Sequence, residues 1–175
     1  MVEYCHPNFI APRKLHQVND PNYPDQYYLN NTGQFGGTAG IDINAPEAWN
    51  ISTGCSVTVA VIDDGVEAHE DMGSRVLTGY TPQFSQVHPN TNGAPNANDP
   101  DGIDFGHGQS CAGIIGASHN SLGIRGVSPE VDIVPINIFN DWFVDSLYDY
   151  STDSWVQFIN YAEDAADMAN AIDYA

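Results

Sequence analysis

The chain has 175 residues and a mass of 19.0 kDa, enough for one domain with a sizeable core. Lys and Arg number 4 against 23 Asp and Glu, a net charge of −19, which excludes nucleic acid as a partner because almost nothing could displace phosphate counterions. An anionic membrane surface is disfavoured for the same reason, no apolar run approaches the roughly 20 residues of a membrane span, and 42% hydrophobic content argues against disorder.

The acidity has two ordinary readings. It keeps a protein soluble in a salty or extracellular setting, or it gathers carboxylates for hard cations or basic peptides. Cys5, Cys55 and Cys111 form no disulfide framework, and their odd number leaves at least one thiol free. No CxxC pair suggests zinc. The opening Met1-Val2-Glu3-Tyr4 lacks the basic and apolar regions of a secretory signal.

Residues 1–50 are rich in Pro, Asn, Tyr and Gly and read as a wrapped arm. A short helix is predicted over Ala45–Trp49, with Asn44 as N-cap and Pro46 in the first turn. Val57 to Ile62 is a continuous, largely β-branched run, the pattern of a strand buried on both faces of a parallel sheet. It stops at Asp63-Asp64-Gly65. Residues 81–106 read as a long polar loop. A helix is predicted from His107 to Ser118, with Cys111, Ile114, Ile115 and Ser118 at helical spacing. A second buried strand is predicted over Asp132–Phe139, with Pro135 fitting best near an edge. Residues 140–160 are aromatic and acidic, without a clear period. Residues 161–175 read as an amphipathic helix with Ala165, Met168 and Ile172 on one face. No internal repeat is visible. The order strand, loop, helix, strand, helix predicts an α/β protein with a parallel sheet, in which chemistry collects at the carboxyl ends of strands.

Asp63 stands at such an end. A buried carboxylate there needs partners, and an Asp that orients a His is the supporting half of a nucleophilic triad: it fixes the tautomer while the imidazole takes a hydroxyl proton. His107 opens a helix with Gly108-Gln109-Ser110-Cys111-Ala112-Gly113. Asp before His fits one of the known triad orders, Asp-His-Ser. Ser110 lies on the helix that carries the His, outside any G-x-S-x-G elbow.

Three stretches resemble the subtilisin-like serine proteases. Val59-Ala60-Val61-Ile62-Asp63-Asp64-Gly65-Val66, followed by His69-Glu70-Asp71-Met72, resembles their Asp signature. His107 to Gly113 resembles their His signature, and Asn120-Ser121-Leu122-Gly123-Ile124-Arg125-Gly126-Val127-Ser128-Pro129 continues the match. The Asp63-Asp64 pair and Cys111 are most similar to the kexin-like and proteinase-K-like branches. The resemblance implies a partial three-layer sandwich around a parallel sheet, truncated before the serine-bearing half. It also implies catalytic Asp63 and His107, and a polypeptide substrate. The family's G-T-S-x-A-x-P signature does not occur in these residues. Val2-Glu3-Tyr4 with Pro7-Asn8 resembles the last strand of an inhibitory prodomain. Residues 1–19 are therefore expected to be a prodomain tail and maturation junction, and 20–175 the first half of a catalytic domain that is inactive by itself. The prodomain is an expected partner, and an extracellular or cell-surface location is expected.

The resemblance further implies a structural Ca²⁺ held by Asp20, Asp71, the Asn120 side chain and the carbonyls of Ser118, Leu122 and Ile124, six oxygens that suit the ion. The loop from Asp63 to Asp71 is one residue shorter than the family's. Asp99 and Asp101 are candidates for a second cation, although a plain acidic turn accounts for them too. Asp64 and Asp104 match positions that face the substrate and favour basic residues in kexin-like proteases. Cys111 reads as a buried structural thiol. Two other functions are considered. One is a calcium-dependent binding module without catalysis, suggested by the missing Ser signature. The other is an acidic phosphoacceptor or Mg²⁺ site at Asp63-Asp64, which would need a nearby Lys, and Lys14 alone exists, in the arm.

Overall fold

The computed structural model describes residues 20–82, 92–95, 106–139, 142–161 and 165–175. The expected prodomain tail, Asp99, Asp101 and Asp104 lie outside the described residues.

The centre is a parallel pair, β1 (Thr58–Asp63) and β2 (Asp132–Asn137), in the register Thr58 to Asp132 through Asp63 to Asn137. The β-branched run thus forms a strand as predicted, displaced by one residue. Burial is less complete than expected. Val61 is buried, but Val59, Ala60 and Ile62 are half-buried and Thr58 is exposed. Among the described residues β1 pairs along one edge only, so its other edge meets no strand that would shield it from solvent.

Pro135 is not at a free edge. Residues Val76 and Tyr80 bridge the far side of β2 at Ile133 and Ile136. Leu77 donates to the Ile133 carbonyl at 2.8 Å and Tyr80 to the Pro135 carbonyl at 2.9 Å. The missing Pro135 donor points toward this irregular segment and away from β1, so the parallel ladder loses no bond.

Helix α2 (His107–Gly116) packs across both strands. It ends two residues earlier than predicted. The core joins Val61, Val66, Met72, Ala112, Val131 and Ile133, with Val59, Val76, Cys111 and Ile115 packed against it. Each fully buried Val, Ile or Met contributes about 1.5–3 kcal/mol of transfer free energy. Part of the long loop turns back to the strand ends. Val66 donates to the Gly93 carbonyl at 3.1 Å, and Asn137 Nδ2 to the Ala94 carbonyl at 2.8 Å.

The described part of the arm is built of two 3₁₀ turns, Tyr23–Asp25 and Gln34–Gly36, and of α1 (Ala45–Trp49). Asn44 holds the N-cap position but in a left-handed conformation, φ 56°, and makes no side-chain capping bond. Instead its amide donates to Asp42 Oδ1 at 2.7 Å, so a turn formed by the neighbouring Asp replaces the cap.

Residues beyond β2 form an antiparallel hairpin, β3 (Trp142–Asp149) and β4 (Ser154–Tyr161), followed by α3 (Ala165–Tyr174). The predicted apolar stripe of α3 is not its buried side. Met168 and Ile172 are exposed, whereas Ala171 is fully buried and Tyr174 stacks on Tyr80 at 4.9 Å.

Candidate active site

Asp63 ends β1 and His107 begins α2, 44 positions later. The parallel sheet places the strand's carboxyl end under the helix's first turn. His107 Nδ1 lies 2.9 Å from Asp63 Oδ1 and 2.8 Å from Oδ2. An ionised carboxylate can only accept, so Nδ1 carries the proton. This leaves Nε2 as the ring's basic nitrogen, on an imidazole that is 77% exposed. Asp63 is 16% exposed and therefore acts in a partly desolvated setting. The Asp63 hydrogen bond, then its charge, raise the His107 pKa above the ordinary value, and Asp64 adds to the effect.

Asp64 lies against the first turn of α2. It is 6% exposed, and its carboxylate accepts the amide of His107 at 3.1 Å and of Gly108 at 2.7 Å. Gly106, at the N-cap of α2, has no side chain to do this. Asp64 thus caps the helix from a distance and sits at the positive end of its dipole. Burial nevertheless raises its pKa, outweighing the two amide bonds. Gly108 makes the arrangement possible: a Cβ there would lie 2.5 Å from the Gly65 carbonyl oxygen and 2.7 Å from Asp64 Oδ1.

Cys111 is half-buried, one turn beyond His107, with Sγ 3.8 Å from Nδ1. Its pKa is raised, by burial first and then by Asp63 and Asp64, so the thiol stays protonated. Asp63, His107 and Cys111 offer ligand atoms within 4.8 Å of one another. A raised thiol pKa works against metal binding there, which needs the thiolate.

The residues expected to hold Ca²⁺ also converge. Asp71 Oδ1 accepts Asn120 Nδ2 at 2.9 Å, and Asp20 Oδ1 accepts the Asn120 amide at 2.7 Å. Leu122 donates its amide to Asn120 Oδ1 at 2.6 Å, and Ser118 donates its own to the Asp71 carbonyl at 2.8 Å. Ile124 N–H approaches Asp71 Oδ2 at 3.4 Å. Asn120 turns its NH2 to Asp71 and its Oδ1 to the Leu122 amide, so holding a hard cation at Asp71 would require that side chain to turn over. Asp71 is 4% exposed, and the hydrogen bonds to its carboxylate come from neutral N–H groups. Asp20 fits less well, since Arg125 Nε already meets its Oδ2 at 2.6 Å in a fully buried ion pair.

Two arginines belong to this framework without having been singled out from the sequence. The Arg125 guanidinium lies over the rings of Tyr23, at 4.8 Å, and Trp49, at 5.6 Å. It joins the arm to the loop after α2. Arg75 donates to the carbonyls of Val131 and Gly116 and to Ser118 Oγ, each at 2.7 Å, so a cation holds the C-terminal end of α2. With only 4 basic residues in the chain, their scarcity was the available signal.

Comparison with known proteins agrees with this geometry. The family model described as the subtilase family matches residues 54–171. Neuroendocrine convertase 2 of Bos taurus is 33% identical over 138 residues, covering 77% of this chain and 21% of that protein. An intracellular serine protease of Paenibacillus polymyxa is 32% identical over 144 residues, 74% of this chain and 41% of the relative. Among solved structures, the serine protease of Aeromonas sobria aligns with a TM-score of 0.59 and 34% identity, over 71% of this chain and 21% of that one. The same protease in complex with the chaperone ORF2 aligns with a TM-score of 0.58 and 33% identity, over 70% of this chain and 20% of that one. The chain spans about a fifth of the convertase it matches. Sequence motifs, parallel-sheet geometry and solved relatives therefore converge: the chain belongs to the subtilase family of serine proteases.

Proposed function

We propose that the protein of which this chain forms part is a serine endopeptidase working through an Asp-His-Ser triad. The carrying observation is the contact of His107 Nδ1 with both oxygens of Asp63. Asp63 holds the tautomer with Nε2 unprotonated and stabilises the imidazolium that follows. His107 then takes the proton of a Ser hydroxyl as that oxygen attacks the peptide carbonyl, and returns it to the leaving amine. No G-T-S-x-A-x-P segment occurs in these 175 residues, so the chain alone is inactive. Asp104 is proposed to face a polypeptide substrate, while Asp64 acts by fixing the helix that carries the base.

Ca²⁺ is proposed as a structural cofactor. Asp71, Asn120 and the carbonyls of Ser118, Leu122 and Ile124 would hold it, with Asp20 at the margin. The ion would supply a charged cross-link between the arm and the loop after α2. The chaperone bound by the Aeromonas sobria protease supports a folding partner, a role proposed here for the chain's own prodomain. An extracellular location is proposed, against the rival suggested by the relative named an intracellular protease.

The test is labelling by a serine-directed fluorophosphonate. The full-length protein should be labelled, and both its His107→Ala variant and the 175-residue chain should not. Labelling of this chain by itself, or undiminished labelling of the variant, would overturn the reading. The second reading, a calcium-dependent binding module, rests on the missing Ser signature. It requires that the coding sequence after Ala175 contain no such segment.

A further inference from the structure

The β3–β4 hairpin forms a sheet of its own among the described residues. Its register sets Tyr148 opposite Trp155, Leu147 opposite Val156 and Asp145 opposite Phe158. Opposed residues share a face, and the faces alternate along each strand. Large apolar groups are exposed on both: Leu147 (66%) and Val156 (47%) on one, Trp155 (69%) on the other. Tyr150, at the turn, is 89% exposed. A two-stranded hairpin is marginal in water without cover, and a contiguous exposed apolar patch marks an interaction surface.

Charge and ring geometry say what that partner must be. The Tyr148 ring meets those of Tyr150 at 5.0 Å and Trp155 at 5.3 Å, both edge to face. The faces of such rings are electron-rich and attract cations. The Tyr148 hydroxyl donates to Asp153, which fixes the ring beside a carboxylate. Asp149 accepts from the Ser151 amide and hydroxyl and from the Thr152 hydroxyl, and these bonds lower its pKa and keep it ionised. Residues 126–175 contain ten Asp and Glu and no Lys, Arg or His, so no side chain of this segment balances them. A second copy of a chain carrying −19 would be repelled, as would nucleic acid or an anionic lipid. A polypeptide segment bearing Lys or Arg matches both the rings and the carboxylates.

We infer that the β3–β4 hairpin is a docking surface for a basic polypeptide segment, with Tyr148, Tyr150 and Trp155 receiving its cations, Asp153 beside them at the Tyr148 hydroxyl and Asp149 at the adjoining turn. This inference is independent of the triad, because its readout is binding.

The experiment is fluorescence anisotropy of a labelled oligoarginine peptide with the full 175-residue chain, with oligoglutamate as control. Oligoarginine should bind, more weakly as salt rises, and oligoglutamate should not. Trp155→Ala leaves the net charge unchanged and should weaken binding about fivefold. Trp155→Phe, which keeps a ring and the strand, should hold within about twofold of the native chain. Asp149→Asn with Asp153→Asn should weaken binding by about tenfold, since Asn also tolerates the left-handed backbone of residue 153 (φ 53°). The charge-matched pair Glu47→Gln with Glu70→Gln, far along the sequence on exposed positions, should change it less than about twofold. Equal losses from the two pairs would reduce the effect to bulk attraction and overturn the site. So would unchanged binding in Trp155→Ala, or self-association through the hairpin in sedimentation.

Discussion

Asp64 caps the helix that carries His107: its carboxylate accepts the amide of the same residue whose ring is held by Asp63 next door. Two adjacent carboxylates therefore fix one histidine, one through the backbone and one through the side chain. The pair at the end of β1 orients the base twice over, and this division sets the first expectations.

Under the proposed triad, Asp63→Asn in the full-length protein should lower kcat by roughly 10⁴, because the amide can favour the wrong tautomer. Steady-state hydrolysis of a peptide substrate measures this. A variant within tenfold of native activity would remove Asp63 from the triad.

The pH dependence follows from the raised His107 pKa. A histidine raised above its unfolded value contributes stability that is complete below the unfolded pKa and is lost as pH rises through the folded one. Catalysis needs the neutral ring, so the acid limb of kcat/KM should sit above the ordinary histidine value. In Asp63→Asn that limb should move to lower pH, because the hydrogen bond and charge that raise it are gone. NMR titration of the His107 ring in the 175-residue chain gives the same comparison without turnover. An unmoved midpoint would contradict the assigned cause.

Asp64→Ala should destabilise the fold by about 1 kcal/mol through loss of the cap on α2, measured by urea unfolding. Asp64→Asn should cost less, since the amide oxygen can still accept one of the two bonds. The carboxyl's raised pKa has the same sign of linkage as the histidine's. The native state holds its proton more tightly, so this group's contribution falls as pH rises from the unfolded to the folded value. In Asp64→Asn that component of the pH profile should vanish.

Arg125→Met should be among the most damaging single changes, costing about 3–5 kcal/mol, because it strands the buried Asp20 charge. Arg125→Met with Asp20→Leu should recover much of that loss. Denaturant midpoints of the four chains decide the matter, and strict additivity would deny the coupling.

If Ca²⁺ occupies the site at Asp71, a chelator should lower the melting temperature of the native chain, and Asp71→Asn should lower it at once and abolish the chelator's effect. A native chain indifferent to chelator would remove the ion from the account.

How much could be read beforehand differs from residue to residue. β1 was legible because a continuous β-branched run has few alternatives, and α2 because its small and apolar residues fall at helical spacing. Pro135 pointed to an edge, but the structure places its missing donor against an irregular segment instead. The hairpin of residues 142–161 was not legible: aromatic and acidic residues alternate without a dry side, so period-2 burial left no mark. The α3 stripe misled because an apolar face on a helix says nothing about whether a neighbour covers it.

Covalent order alone determined the acidity, the strand and helix of the centre, and the identities of Asp63 and His107, since each depends on composition or on a period of a few residues. Only the folded arrangement decided that Asp64 turns inward to cap α2, that Arg125 neutralises Asp20 across 105 positions, and that the Tyr150 and Trp155 rings stand in water. Such pairings follow from which elements the chain brings together. Nothing local in the sequence encodes a contact between residues so far apart along it.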